Sequence, residues 1–301
     1  MSRRGWALFL AMCVIWGLPY FLIRVAVADV SPPTLVFART AIGALLLMPL
    51  AVYRRQLRTV LAAWRPLLAY TAIEIALPWV LLSDAETHLS SSLSGLLVAA
   101  VPLVGTVILL RAGRSEHPAG PQLLGLLVGL AGVVAVLGFD LGAVTPVPAL
   151  EMAVVVVCYA VGPQLLSRYL SHLPGVGVVA CSLALCAVAY LPAAILLAPA
   201  RPPSLGVVAA LVALGVVCTA AAFILFFQLV SEVGAVRATV ITYVNPAVAV
   251  LLGVTLLHER FGAGTAAGFA MILIGSFLAT RVVARPRSRP PRLAGASAPD
   301  P

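Results

Sequence analysis

Residues 5–27, GWALFLAMCVIWGLPYFLIRVAV, form an apolar run long enough to cross a bilayer, with a Trp-Gly pair and a proline in its second half. Residues 149–168, ALEMAVVVVCYAVGPQLLSR, repeat its layout: Pro19 and Arg24 meet Pro163 and Arg168 at an offset of 144 positions. The same offset carries Pro102 onto Pro246. Past a one-residue deletion, Glu116, Gly125 and Gly132 meet Glu259, Gly268 and Gly275 at an offset of 143. Aligned prolines followed by aligned glycines and an acid point to a duplicated unit.

Composition says where such a unit lives. A mean hydropathy of +1.11, 62% hydrophobic residues and 10% charged residues leave too little polar surface to clothe a water-soluble chain of 301 residues. Apolar stretches run near Gly5 to Val27, Pro33 to Tyr53, Pro66 to Ser83, Leu89 to Leu110, Pro121 to Phe139, Ala149 to Arg168, Gly175 to Ala198, Leu205 to Val230, Gly234 to Leu257 and Phe261 to Val282. About 20 residues at about 1.5 Å rise each match a hydrocarbon core of about 30 Å. The expected fold is therefore an all-α integral membrane protein: ten transmembrane helices as two inverted five-helix repeats, residues 1–140 and 141–282. Residues 283–301, rich in Pro and Arg, are expected to form a disordered basic cytoplasmic tail.

Charge supplies the orientation. Every basic side chain other than His is Arg, and the net charge is +9. The Arg residues alternate with membrane side rather than gathering on one soluble face, which argues against nucleic acid as a partner. With the N-terminus in the cytoplasm, the inside collects most of the 19, including Arg3, Arg4, Arg54, Arg55, Arg58, Arg65, Arg111 and Arg114, while Asp29, Asp84, Glu86 and Glu259 fall outside. Both termini are then cytoplasmic, in a multi-pass protein of the cytoplasmic membrane. An odd number of spans per repeat makes the second repeat run opposite to the first. Arg3 and Arg4 before an apolar run imitate a secretory signal, but the run is longer than a signal core and has an internal partner, so a retained span is expected. Cys13, Cys158, Cys181, Cys186 and Cys218 all fall inside apolar stretches, and no disulfide is expected.

Trp16-Gly17, Ser31-Pro32 with Arg39, and Pro102 with Glu116 in the first half, with Asn245-Pro246 and His258-Glu259-Arg260 in the second, together resemble the EamA family of the drug/metabolite transporter superfamily. The resemblance covers roughly residues 5 to 282. It implies a ten-helix carrier of small metabolites, often an exporter of amino acids and related compounds, with a central cavity lined mainly by the first, third, fourth, sixth, eighth and ninth helices. The second half carries Ala160-Val161 where the first has Trp16-Gly17, so the repeats are not identical at the site.

Read from the residues, Glu74 is the sharpest feature, because a charge well inside a span costs about 2.5 to 3.5 kcal/mol on insertion scales. It is expected to face the cavity, binding a cationic group or carrying a coupling proton, or else to pair permanently with Arg39 or lie buried as a neutral acid. Arg39 in turn is expected to form a structural ion pair with Glu74 or Asp84. Arg24 and Arg168 sit near span ends and are read as snorkelling anchors. Pro19, Pro102, Pro163 and Pro246 each remove a backbone donor and are expected to kink their helices around a midplane site. Trp16, Tyr20, Trp79, Tyr159, Gln164, Phe223, Phe227, Tyr243 and Asn245 gather about those kinks. They would bury the apolar body of a small-molecule substrate and bond its polar end.

Gly125, Gly129 and Gly132, and Gly264, Gly268 and Gly275, place small residues on one face of the fifth and tenth spans, for packing inside the chain or, alternatively, for a homodimer. No metal spacing, phosphate loop or nucleophile motif occurs, so no cofactor and no catalytic residue is expected. The expected function is secondary active transport of a small metabolite by alternating access. The alternative is a membrane-embedded enzyme acting on lipid-linked substrates.

Overall fold

The computed structural model describes residues 2–111, 120–140, 146–234, 238 and 240–280. Glu116, Arg114 and the tail 283–301 lie outside the described residues. The described chain is helical throughout, and eight helical segments are long and apolar enough to cross a membrane. These are α1 Arg3–Ala26, α2 Pro32–Tyr53, α3 Trp64–His88, α4 Ser91–Ile108, α6 Pro146–Leu170, α7 Gly175–Leu196, α8 Leu205–Val233 and α10 Ala263–Thr280. Between them lie α5 Gly120–Asp140, whose apolar part is Gly120–Val136, and the shorter apolar α9 Ile241–Leu256. The structure adds a short helix, Leu57–Ala62, between α2 and α3, and carries α3 beyond Ser83 to His88.

Most of the packing joins one half of the chain to the other. Helix α1 packs on α8, α2 on α7, α3 on α6, α4 on α9 and α5 on α10. Exchanging the halves turns the first pair into the third and leaves the other three unchanged, which is the pattern of a two-fold related pair of five-helix units.

Helices α5 and α10 approach each other closely. A Cβ built on Gly132 would stand 2.7 Å from the Gly268 carbonyl oxygen, and one on Gly125 would stand 2.5 Å from the Ala279 amide. Backbone meets backbone here, which only glycine allows, and dispersion between the two surfaces replaces contact with lipid. The glycine face is thus consumed inside one chain and is not free to build the alternative homodimer. The five cysteines are buried free thiols.

Regular helix fails at specific places, each with a chemical reason. Helix α1 breaks at Trp16–Gly17, with Pro19 in the first turn of its second piece, Leu18–Ala26. Helix α4 breaks at Ala99–Ala100, with Pro102 in the first turn of Val101–Arg111. The equivalent prolines of the second half sit differently: Pro163 lies inside Pro146–Leu165, which passes into a π-helical segment at Leu166–Leu170, and Pro246 lies inside Ile241–Leu256, with no interruption at either proline. Helices α3 and α8 each carry a π-helical segment, Thr71–Ala76 and Val216–Ala221, at equivalent places in the two halves. In α3 the segment runs into Pro78, which cannot donate to the Glu74 carbonyl. In α8 no proline follows, and the Thr219 hydroxyl donates instead to the Leu214 carbonyl at 2.8 Å.

Replacing Gly132 by Leu should cost about 1–3 kcal/mol, the usual penalty of overpacking, read as a lower midpoint of thermal unfolding in detergent. Gly105→Ala, where nothing lies within 4 Å of an added Cβ, should leave that midpoint unchanged or raise it.

Candidate functional site

The break in α1 is covered by α9. Gly17 lets α9 approach so closely that a Cβ there would stand 2.5 Å from Val248 Cβ. Because Gly17 N–H turns to the Val14 carbonyl, the Cys13 carbonyl loses its usual helical donor. Asn245 supplies one: with its amide nitrogen turned inward it donates to Cys13 O at 3.1 Å and to Ile241 O at 2.9 Å. Asn245 therefore ties the two halves together at the middle of the fold.

Beside this junction lies a cavity of about 600 Å³. All four aligned prolines, Pro19, Pro102, Pro163 and Pro246, stand on its wall, together with Trp16, Tyr20, Trp79, Tyr159, Phe223, Tyr243 and Asn245. It runs from Tyr20 and Trp79 to Val240, ahead of α9, and Thr280, at the end of α10. Trp16 packs against Phe226 with ring centroids 4.8 Å apart and planes tilted by 39°, and meets Phe223 edge-on at 6.1 Å, forming one aromatic wall from α1 and α8. Tyr243 Oη lies 3.0 Å from Thr280 Oγ1 near the other end.

Three expected site residues stand elsewhere. Glu74, in the π segment of α3, lays its carboxyl against Gly162 of α6, at a helix interface and off the cavity wall. Gln164 turns back to donate to its own helix at Ala160 O, 2.9 Å. Phe227 packs over Gly175, behind Phe223. Conversely, Arg39 of α2 and Phe277 and Thr280 of α10 join the wall, which widens the set of lining helices beyond those the family resemblance implies. Cys218, which the offset of 144 positions places opposite Glu74, is also on the wall.

The expected ion pair of Arg39 is corrected as well. Its guanidinium lies over the Trp79 ring, 3.7 Å from the centroid, and Nε donates to Thr219 Oγ1 at 2.9 Å. Among the described residues it forms no ion pair with Glu74 or Asp84.

The face carrying the α1–α2, α3–α4, α7–α8 and α9–α10 connections is tied across by three links. Arg24 donates to the Glu86 carbonyl at 2.6 Å and more weakly to that of Thr87, capping the C-terminal end of α3 rather than simply reaching the interface. Glu259 accepts from the Ser91 amide at 2.7 Å and the Ser92 amide at 2.9 Å, an anion on the N-terminus of α4. Asp29 accepts from the Ser204 amide at 2.8 Å, at the N-terminus of α8. A depression lined by Arg24, Asp29, His88, Ser204 and Glu259 lies among these links, separate from the central cavity.

The EamA-like transporter family matches residues 3–138 and again 148–281. The chain belongs to that family, and it is a multi-pass membrane protein with two copies of the family unit. A solved crystal structure is similar to it in fold at a TM-score of 0.65, with 23% sequence identity over 93% of this chain and 98% of that one. No curated protein sequence matches it.

Asn245→Leu leaves the Cys13 carbonyl buried without its donor and should destabilise the protein by about 1–3 kcal/mol, measurable as a loss of thermal stability in detergent. A second expectation concerns pH. The Ser204 amide and hydroxyl hold Asp29 below the ordinary carboxylate range, so its contribution is present above the unfolded value and disappears as pH falls through the folded one. The stability difference between wild type and Asp29→Asn should accordingly shrink to nothing in acid.

Proposed function

We propose that this chain is a secondary carrier that moves a small amphipathic metabolite, such as an amino acid or a related compound, outward across the cytoplasmic membrane. The observation that carries the reading is a central cavity walled by equivalent prolines of both halves, Pro19 with Pro163 and Pro102 with Pro246. A cavity at the seam of two related units can be exposed to either side by rocking one unit against the other, which is alternating access. The arrangement supports ten crossings in two inverted repeats, with residues 1–140 and 141–282 as the units. With both termini cytoplasmic, the tied face is external and the cavity leads inward, toward Val240 and Thr280.

The wall suits the cargo. Aromatic faces of Trp16, Trp79 and Phe223 bury an apolar body, while the hydroxyls of Tyr20, Tyr159 and Tyr243 give hydrogen bonds that fix its orientation. Each of the three links across the tied face is a few hydrogen bonds near water. Contacts of that size can be broken and remade during a transport cycle.

Proton coupling through Glu74 is a second reading, and one observation favours it: its Oε2 is buried without a hydrogen-bond partner between α3 and α6.

Purified protein in proteoliposomes loaded with an amino acid panel should catalyse exchange of at least one solute, and tags after α4 and after α9 should be reached from opposite sides of the membrane. Modification of a lipid headgroup with no solute movement would replace the carrier by the enzyme alternative. Glu74→Gln should leave exchange intact; a flattened pH profile of net transport in that variant marks Glu74 as the coupling acid, and an unchanged profile removes it.

A further inference from the structure

Among the described residues, Arg39 is the one charged side chain on the cavity wall. It is nearly enclosed, with 6% of its surface exposed, and its surroundings hold it still. Trp79 backs the guanidinium plane, and Thr219, whose own hydrogen is committed to the Leu214 carbonyl, accepts from Nε. Thr219 is placed by close packing of α2 on α8, where a Cβ on Gly43 would stand 2.9 Å from Thr219 Cγ2. Neither terminal nitrogen of the guanidinium is taken by a described side chain or carbonyl.

Among the described residues no acid pairs directly with this charge, although Glu86 is near enough to feel it. Glu74 is turned against Gly162, and Glu86, fully buried, lies off the cavity wall and forms no ion pair with Arg39. A guanidinium fixed by a ring behind it and a bond at Nε, with its outer fork unclaimed, is an arrangement suited to a carboxylate. Burying a cation without a counterion is costly, and a bound anion offsets that cost.

Resting on the carrier reading above, we infer that Arg39 binds the carboxylate of the substrate, and that the cargo is an amphipathic carboxylic acid, its apolar body lying among Trp16, Trp79 and Phe223. The same charge repels solutes whose only charge is positive. Arg39 is thus a substrate-binding residue and not a structural ion-pair partner.

The test uses equilibrium binding to the purified full-length protein in detergent, followed by the fluorescence of the cavity tryptophans Trp16 and Trp79. Phenylalanine, leucine and 3-phenylpropanoate are compared with the amides of the same three acids. At least one acid should bind about tenfold or more tightly than its amide, the scale of one charge-assisted hydrogen bond. Arg39→Gln should erase that preference, and Arg39→Lys, which keeps charge but loses the planar fork, should restore part of it. Equal affinity for acids and amides, no binding of any acid at millimolar concentration, or an undiminished preference in Arg39→Gln would each overturn the assignment. Should Arg39→Gln fail to fold, the acid and amide comparison on wild-type protein decides alone. Binding without movement in proteoliposomes would count against the carrier reading while leaving the role of Arg39 standing.

Discussion

Inside hydrocarbon an unpaired backbone amide or carbonyl costs several kcal/mol, and this fold is arranged around that penalty. Helix satisfies the backbone almost everywhere. Where it fails, a partner from a distant helix or a nearby hydroxyl takes over: Asn245 at the Cys13 carbonyl, Tyr190 at the Ala76 carbonyl of the π segment, Thr219 at the Leu214 carbonyl. Irregular backbone is tolerated at membrane depth only where protein covers it or a cavity receives it. The breaks of α1 and α4 accordingly border the central cavity, with Trp16, Pro19, Val101 and Pro102 on its wall, while the π segment of α3 is covered by protein at Gly162 and Tyr190.

The two halves meet this constraint differently. Helices α1 and α4 break, whereas α6 and α9 carry their prolines without breaking. Gly17 accounts for part of the difference, since it admits Val248 and Asn245 against the break, and the aligned position in the second half is the bulkier Val161. One side of the cavity thus has jointed walls and the other has continuous ones. In a rocking mechanism the jointed helices are the natural place for bending.

Charge is used sparingly and at two levels. At the tied face, Arg24, Asp29 and Glu259 bind helix ends, where the orphan carbonyls and amides of α3, α8 and α4 complement their sign. Deeper, Arg39 is the one cation among the described residues of the cavity wall. Links at the surface exchange readily with water, whereas a buried charge needs a dedicated environment, which Trp79 and Thr219 provide for Arg39.

The duplication, the apolar spans and the four prolines were legible from residue order, because span length and the missing proline donor are local properties. So were seven of the cavity's aromatic and amide groups, since a polar or aromatic side chain near a kink has few other places to go. The direction each side chain takes around its helix was not legible. Helices that are apolar on every side carry no amphipathic stripe to mark the inward face, and a π segment turns the face that follows it. Glu74 sits in such a segment and ends at Gly162, away from the wall it was expected to line. Arg39 finds its partner Thr219 at a separation of 180 residues, through packing of α2 on α8 that no local pattern encodes.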